Sequence, residues 1–189
     1  MHQNLRQHLQ KFVKVSENDF NFFTSKGKIV QLEKNESWQL EGKVSQNFGF
    51  VNSGLLRHFY NDNGNEKTEK FYMEQFWIGD YASFLSNTPS LRNYVAIEKS
   101  ELLVFTFNQL QMFYDKVPSI EKFGRLYAEK LLVELHNRNR SFLLDSAEEK
   151  YIKFITEFPE LSQKVPQYMI AQYLGVKPET LSRIRKKIY

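Results

Sequence analysis

The spacing of apolar residues changes once along this chain, and that change bounds its architecture. From Lys28 to about Phe107, apolar and β-branched residues fall in short runs separated by turn residues; after Pro118 they recur at steps of three or four. Alternation marks half-buried strands and a 3.6-residue period marks amphipathic helices, so a β domain is expected in front of a helical one. Candidate strands are 28–33, 47–52, 55–61 and 66–72, with two more within 95–107. Asp62, Asn63, Gly64 and Asn65 form a tight hairpin signal, because Asn and Gly accept the positive φ of such turns. Several short strands at this spacing imply a compact antiparallel barrel or roll. Ahead of them, residues 16–26, with Phe20, Phe22 and Phe23, read as a short helix or loop packed on the strand-rich region. No repeat or low-complexity segment interrupts the pattern.

In the helical half, Ile120, Gly124, Tyr127, Leu131 and Leu135 draw a stripe along one side of a helix running to about Leu144. At 1.5 Å per residue such a helix spans about 35–40 Å, more than a small domain needs for its own packing. The stripe either packs within its own chain or pairs with a second copy, and the length favours pairing. Ser146 and Glu149 stand in the capping-box relation, in which the Ser oxygen accepts from the Glu amide and the Glu carboxylate accepts from the Ser amide. A helix should begin there, carry Ala147, Tyr151, Phe154, Ile155 and Phe158 on one face, and end before Pro159.

Composition excludes several chemistries. The 189 residues include no Cys, which removes disulfides, iron–sulfur clusters, thiolate zinc sites and cysteine nucleophiles. His2, His8, His58 and His136 are scattered, so no metal site is indicated, and no phosphate-binding Gly loop, Ser-His-Asp set or paired-carboxylate cleft can be argued from the spacings. No enzyme activity is expected. No apolar run approaches the roughly 18 residues of a spanning helix, and residues 1–11 are too polar for a signal segment, so a cytoplasmic protein without membrane contact is expected. The formal net charge is +4; between 166 and 189, Lys177, Arg183, Arg185, Lys186 and Lys187 oppose Glu179 alone. That concentration of positive charge is the footprint of a phosphate-binding segment.

The same segment carries the sharpest constellation. A helix-turn-helix needs a small residue where its helices approach, a glycine where the turn is left-handed, and apolar inner faces. Ala171 and Gly175 fill the first two requirements, and Ile170, Leu174, Val176, Leu181 and Ile184 supply the shared core. Pro178 suits the first turn of the second helix, although Lys177 is a poor cap before it. The helical period sets Leu181, Ile184 and Ile188 on one side and Glu179, Arg183 and Lys186 on the other. In a major groove Arg183 can fork onto a guanine edge and Glu179 can accept from a cytosine amine, each good pair giving about 1–3 kcal/mol of discrimination. Thr180, Ser182, Lys187 and the first amides of the preceding helix at Gln167 are placed for phosphates.

Over nearly its whole length the chain resembles the cyclic-AMP receptor protein/FNR superfamily of bacterial transcription regulators. In the β portion the resemblance rests on Phe50, Val51, Asn52, Ser53, Gly54, Leu55, Leu56 and Arg57, and on Phe76, Trp77, Ile78, Gly79 and Asp80. The long helix matches over 126–131, and the reader over Ile170, Ala171, Leu174, Gly175, Val176 and 179–183, the most specific group. The resemblance implies an α+β protein: an antiparallel β-roll sensor of jelly-roll, cyclic-nucleotide-binding-like type (1–115), a long dimerisation helix (116–144) and a helix-turn-helix domain (145–189). It implies a homodimer on double-stranded DNA with two half-sites about one turn apart, and contact with RNA polymerase. By the same resemblance Glu179 and Arg183 read bases, and Thr180 holds the backbone.

The departures from the family pattern fall on the sensor pocket and the end of the reader. Members that bind cyclic nucleotide carry a Gly-Glu pair for the ribose and, several residues later, an Arg followed by a small residue for the phosphate. Here Gly79 is followed by Asp80, the expected arginine position falls near Ser90, and Arg92 comes two residues later. In a strand that slip displaces the guanidinium by about 7 Å. The hydroxyl residues that the long helix lends the purine fall near Glu134 and Leu135, and an anionic Glu134 beside a phosphate is unfavourable. Cyclic AMP binding is therefore expected to be weak or absent, and no other cofactor is implied. The sequence ends after the reader helix, so the family's winged hairpin is expected to be missing. The alternative is a small-molecule sensing module whose final helices contact protein rather than DNA.

Overall fold

The structure, a computed structural model, describes residues 2–188. In chain order the elements are α1 (Gln3–Gln10), α2 (Glu17–Ser25), β1 (Lys28–Leu32), β2 (Ser37–Gln39), β3 (Asn47–Ser53), β4 (Leu56–Asp62), β5 (Asn65–Tyr72), β6 (Trp77–Ile78), α3 (Tyr81–Ser86), β7 (Asn93–Ala96), β8 (Ser100–Thr106), α4 (Phe107–Lys116), α5 (Pro118–Leu144), α6 (Ala147–Glu157), α7 (Pro159–Lys164), α8 (Gln167–Leu174) and α9 (Pro178–Ile188). The chain divides into two compact units, Met1–His58 with Phe71–Lys130 and Phe59–Lys70 with Leu131–Tyr189.

In the first unit, strand alternation feeds two cores. The strands form two four-stranded sheets, β1-β8-β3-β6 and β2-β7-β4-β5. β8 pairs antiparallel with both β1 and β3. Along β8 and β3, Leu103, Phe105, Phe48 and Phe50 turn to one side, where they meet Leu5, Leu9, Phe20, Phe23, Phe107, Phe113, Ile120 and Phe123 from the surrounding helices. Their neighbours Leu102 and Val51 turn to the other side, joining Leu32, Leu56, Tyr72, Ile78, Tyr94 and Ala96. The first core is strongly aromatic: Phe23 stacks on Phe105 at 4.6 Å between centroids and meets Phe113 edge-on at the same distance.

Local chemistry sets the element ends. Asn63 and Gly64 both take positive φ between β4 and β5, and Asn61 Oδ1 accepts from the Gly64 amide at 2.9 Å. The hairpin signal is therefore met by a two-residue turn. Ser16 caps α2 by accepting from the Asp19 amide, which makes 17–25 a helix. Capping boxes start α4, with Thr106 and Gln109, and α6, with Ser146 and Glu149. The expected strand end at Phe107 is corrected: Phe107 is the first residue of α4, and its ring is buried in the aromatic core. Sequence reading also passed over α1, α3, α7, β2 and β6, all of them short.

α5 runs over 27 residues as the period required. Its expected pairing stripe needs correction. Ile120 is buried in the aromatic core of its own chain, Gly124 lies beneath the Tyr114 hydroxyl, and Tyr127 packs on the same core. Leu131 is half-buried and Leu135 exposed. Among the exposed residues of α5, Ala128, Leu132, Leu135, Asn139 and Leu143 share a face at helical spacing; Leu132 is 67% and Leu143 83% exposed. No helix among the described residues is long and apolar enough to cross a membrane.

Candidate nucleic-acid interface

Helices α8 and α9 belong to the second unit and meet through buried Ile170, Ala171, Leu174, Leu181 and Ile184. Gly175 ends α8 in the left-handed conformation, at φ 67°, and its amide donates to Gln172 O at 3.1 Å. The next amide, Val176, donates to Ala171 O at 3.0 Å, which closes the helix end and turns the chain sharply into α9. With Leu181 and Ile184 turned inward, Glu179, Ser182, Arg183, Lys186 and Lys187 are exposed and Thr180 is half-buried at their edge. The outward set inferred from the sequence therefore shares one accessible surface. Lys187 Nζ also lies 3.8 Å from Glu148 Oε2, a loose pair between two exposed side chains.

Gln167 is exposed at the first turn of α8, where Pro166 occupies the cap position and supplies no side-chain hydrogen bond. A cleft of about 470 Å³ opens beside this helix start, with Tyr151, Gln163, Gln167 and Arg185 on its walls. Arg185 is a cation that the outward-face reasoning passed over, because it sits a fraction of a turn behind Arg183 and Lys186. The second unit also contains the tip of the β4–β5 hairpin, whose Thr68 hydroxyl donates to Gln172 Oε1 at 2.8 Å.

The candidate ligand pocket lies mainly in the first unit. The structure brings Asp80, which follows Gly79 in the chain, together with Ser90 and Arg92, but these three side chains bond one another. Asp80 Oδ2 accepts from Ser90 Oγ at 2.6 Å, and Oδ1 accepts from Arg92 Nη1 at 3.0 Å and from the Ser83 amide at 3.1 Å. The Asp80 side chain is 2% exposed, that of Arg92 24%. Burial opposes ionisation of Asp80, yet the bonds from Ser90 and Ser83 and the Arg92 charge outweigh it and hold the carboxyl below its ordinary range. Ser90 and Arg92 lie in the loop before β7, so the displacement expected for a strand does not apply to them. The backbone of Gly79 lies close to Phe48, where a Cβ would come within 3.1 Å of Phe48 Cβ. Glu134 lies on α5 in the second unit, where its charge adds to burial in raising the Glu157 carboxyl pKa.

No protein-family model matches this sequence, and no characterised protein matches it by sequence. Solved structures do match. The c-di-GMP-responsive global regulator CLP of Xanthomonas campestris superposes with a TM-score of 0.74 at 12% identity, covering 92% of this chain and 91% of that one. The catabolite activator protein of Thermus thermophilus gives 0.56 at 20% identity, over 92% and 84%. DNR of Pseudomonas aeruginosa gives 0.55 at 21%, over 100% and 87%. The matching structures are consistently Crp/Fnr regulators, and what this chain shares with them at such identities is the fold.

Proposed function

We propose that this chain is a Crp/Fnr-type transcription regulator that binds double-stranded DNA as a homodimer and does not take cyclic AMP in the family's usual way. The observation that carries the reading is the outward face of α9: Glu179, Arg183 and Lys186 are exposed on a helix whose opposite side is locked into α8. In a major groove that face offers a planar guanidinium, a carboxylate and a mobile ammonium to base edges and phosphates. The uncovered stripe on α5 fits a second copy, which would present two reader helices to half-sites about one turn apart. The Asp80–Arg92 pair argues against a phosphate in the roll, because an incoming anion would have to take the guanidinium from a buried carboxylate that itself repels it. Contact with RNA polymerase belongs to the same proposal and rests on the likeness to these regulators alone.

Fluorescence anisotropy on duplexes selected from genomic fragments tests the DNA claim. A dimer covering six to ten phosphates should lose about 10³-fold or more in affinity between roughly 50 and 200 mM salt. A contact to protein through an apolar face would be nearly indifferent to salt, and a chain that ignores duplexes in dilute buffer would end the proposal.

A further inference from the structure

The end of α5 packs against the turn of the reader within the second unit. The Phe142 ring lies over Gly175, so close that a Cβ there would come within 2.9 Å of Phe142 Cε1. One turn back, the Arg138 guanidinium carbon sits 4.4 Å from the Tyr173 ring centroid and 5.4 Å from that of Phe142. Arg138 Nη2 also approaches the Tyr173 carbonyl at 3.5 Å. Lys150 Nζ lies 4.9 Å from the Phe142 centroid and donates to the Phe142 carbonyl at 3.2 Å. Tyr173 in turn meets Phe154 of α6 at 5.3 Å between centroids, and burial raises its hydroxyl pKa.

We infer that Arg138 and Phe142 are positioning residues for DNA recognition: an aromatic–guanidinium clamp that sets the attitude of the α8–α9 reader relative to α5. The inference rests on the proposed DNA-binding function and assigns residues that touch no DNA. Arg138 is suited to it because a planar guanidinium stacks between rings and hydrogen-bonds in its own plane at once, which an ammonium cannot do. The glycine is required twice at position 175, by its positive φ and by the space the ring occupies. If α5 joins two copies, any freedom in the clamp becomes freedom in the separation of the two readers.

Two measurements on the full chain test the clamp. The sequence has no cysteine, so N137C with K186C gives a unique spin-label pair on α5 and α9, diluted with unlabelled chain to isolate distances within one copy. A single narrow distribution is expected, broadened by R138A and by F142L, retained by F142Y, and not retained by R138K. Without labels, affinity should peak at one half-site spacing, near one helical turn. R138A and F142L should reduce a tenfold preference for that spacing to threefold or less while leaving affinity for an isolated half-site within twofold. Unchanged distance distributions would overturn the inference, as would an equal loss at every spacing and at the isolated half-site. If the chain bound no duplex, the proposed function would fail, whereas the distance measurement would still judge the clamp.

Discussion

Arg183 and Lys186 stand on one face of α9, and in the proposed DNA complex their chemistry would give them different tasks. A guanidinium reads a guanine edge with two bonds in a fixed plane, whereas an ammonium is a mobile point charge. Arg183→Ala should relax base preference at one position in each half-site, by about 1–3 kcal/mol per contact, read out by selection from random duplexes. Lys186→Ala should weaken all sequences alike and, with one ammonium lost from each copy of the dimer, reduce the salt slope by about 1.8. His8 has a role in stability instead. It sits among Phe12, Phe50, Phe123 and Tyr127, with ring centroids between 5.6 and 5.9 Å away, and its Nε2 has no hydrogen-bond partner there. Burial, with Lys11 and Lys130 adding, pushes its pKa down from 6.5 to about 4. The unfolded chain therefore accepts a proton that the folded chain refuses over that interval, so stability is greatest above it and declines as pH falls through it. His8→Phe keeps the ring contacts without the proton, and urea midpoints measured against pH should lose that slope.

At the scale of elements, α5 shows how one helix serves several neighbours. A straight α-helix turns about 100° per residue, so the face that packs on the aromatic core near Ile120 and Phe123 is not the face that Leu132 and Leu143 present further along. A period read from sequence finds an apolar stripe but not which partner covers each part of it. Replacing Leu132 and Leu135 together by Glu should leave the fold intact, since both are exposed, and shift the protein from dimer to monomer in sedimentation equilibrium. A dimer that survived would remove α5 from the proposed interface. The capping box at Ser146 was legible because all its parts lie within four residues. The equivalent box at Thr106 was not, because Thr106 is the last residue of β8 and Phe107 continues the strand's apolar run. β2 and β6, with three and two residues, are too short for any period to register.

For the whole molecule, the cyclic-AMP part of the proposal is tested at the β domain. Titration calorimetry with cyclic AMP on the intact protein should show no binding in the micromolar range, because Arg92 is already committed to Asp80. Tight binding would overturn that account of the pocket. Sequence by itself determined the order of a strand-rich region before a helical one, the turn at Asn63 and Gly64, the length of α5, and a left-handed glycine between two helices with a basic outer face. Each of those depends on residues within a turn or two of one another, where backbone sterics and side-chain period act directly. Tertiary structure alone decided that Arg92 closes on Asp80, that the first turns of α5 are spent on the aromatic core, and that Phe142 and Arg138 pack against Gly175 and Tyr173 at the end of α8. Such contacts join segments that local preference leaves independent, and only the packing of the folded chain brings them within reach.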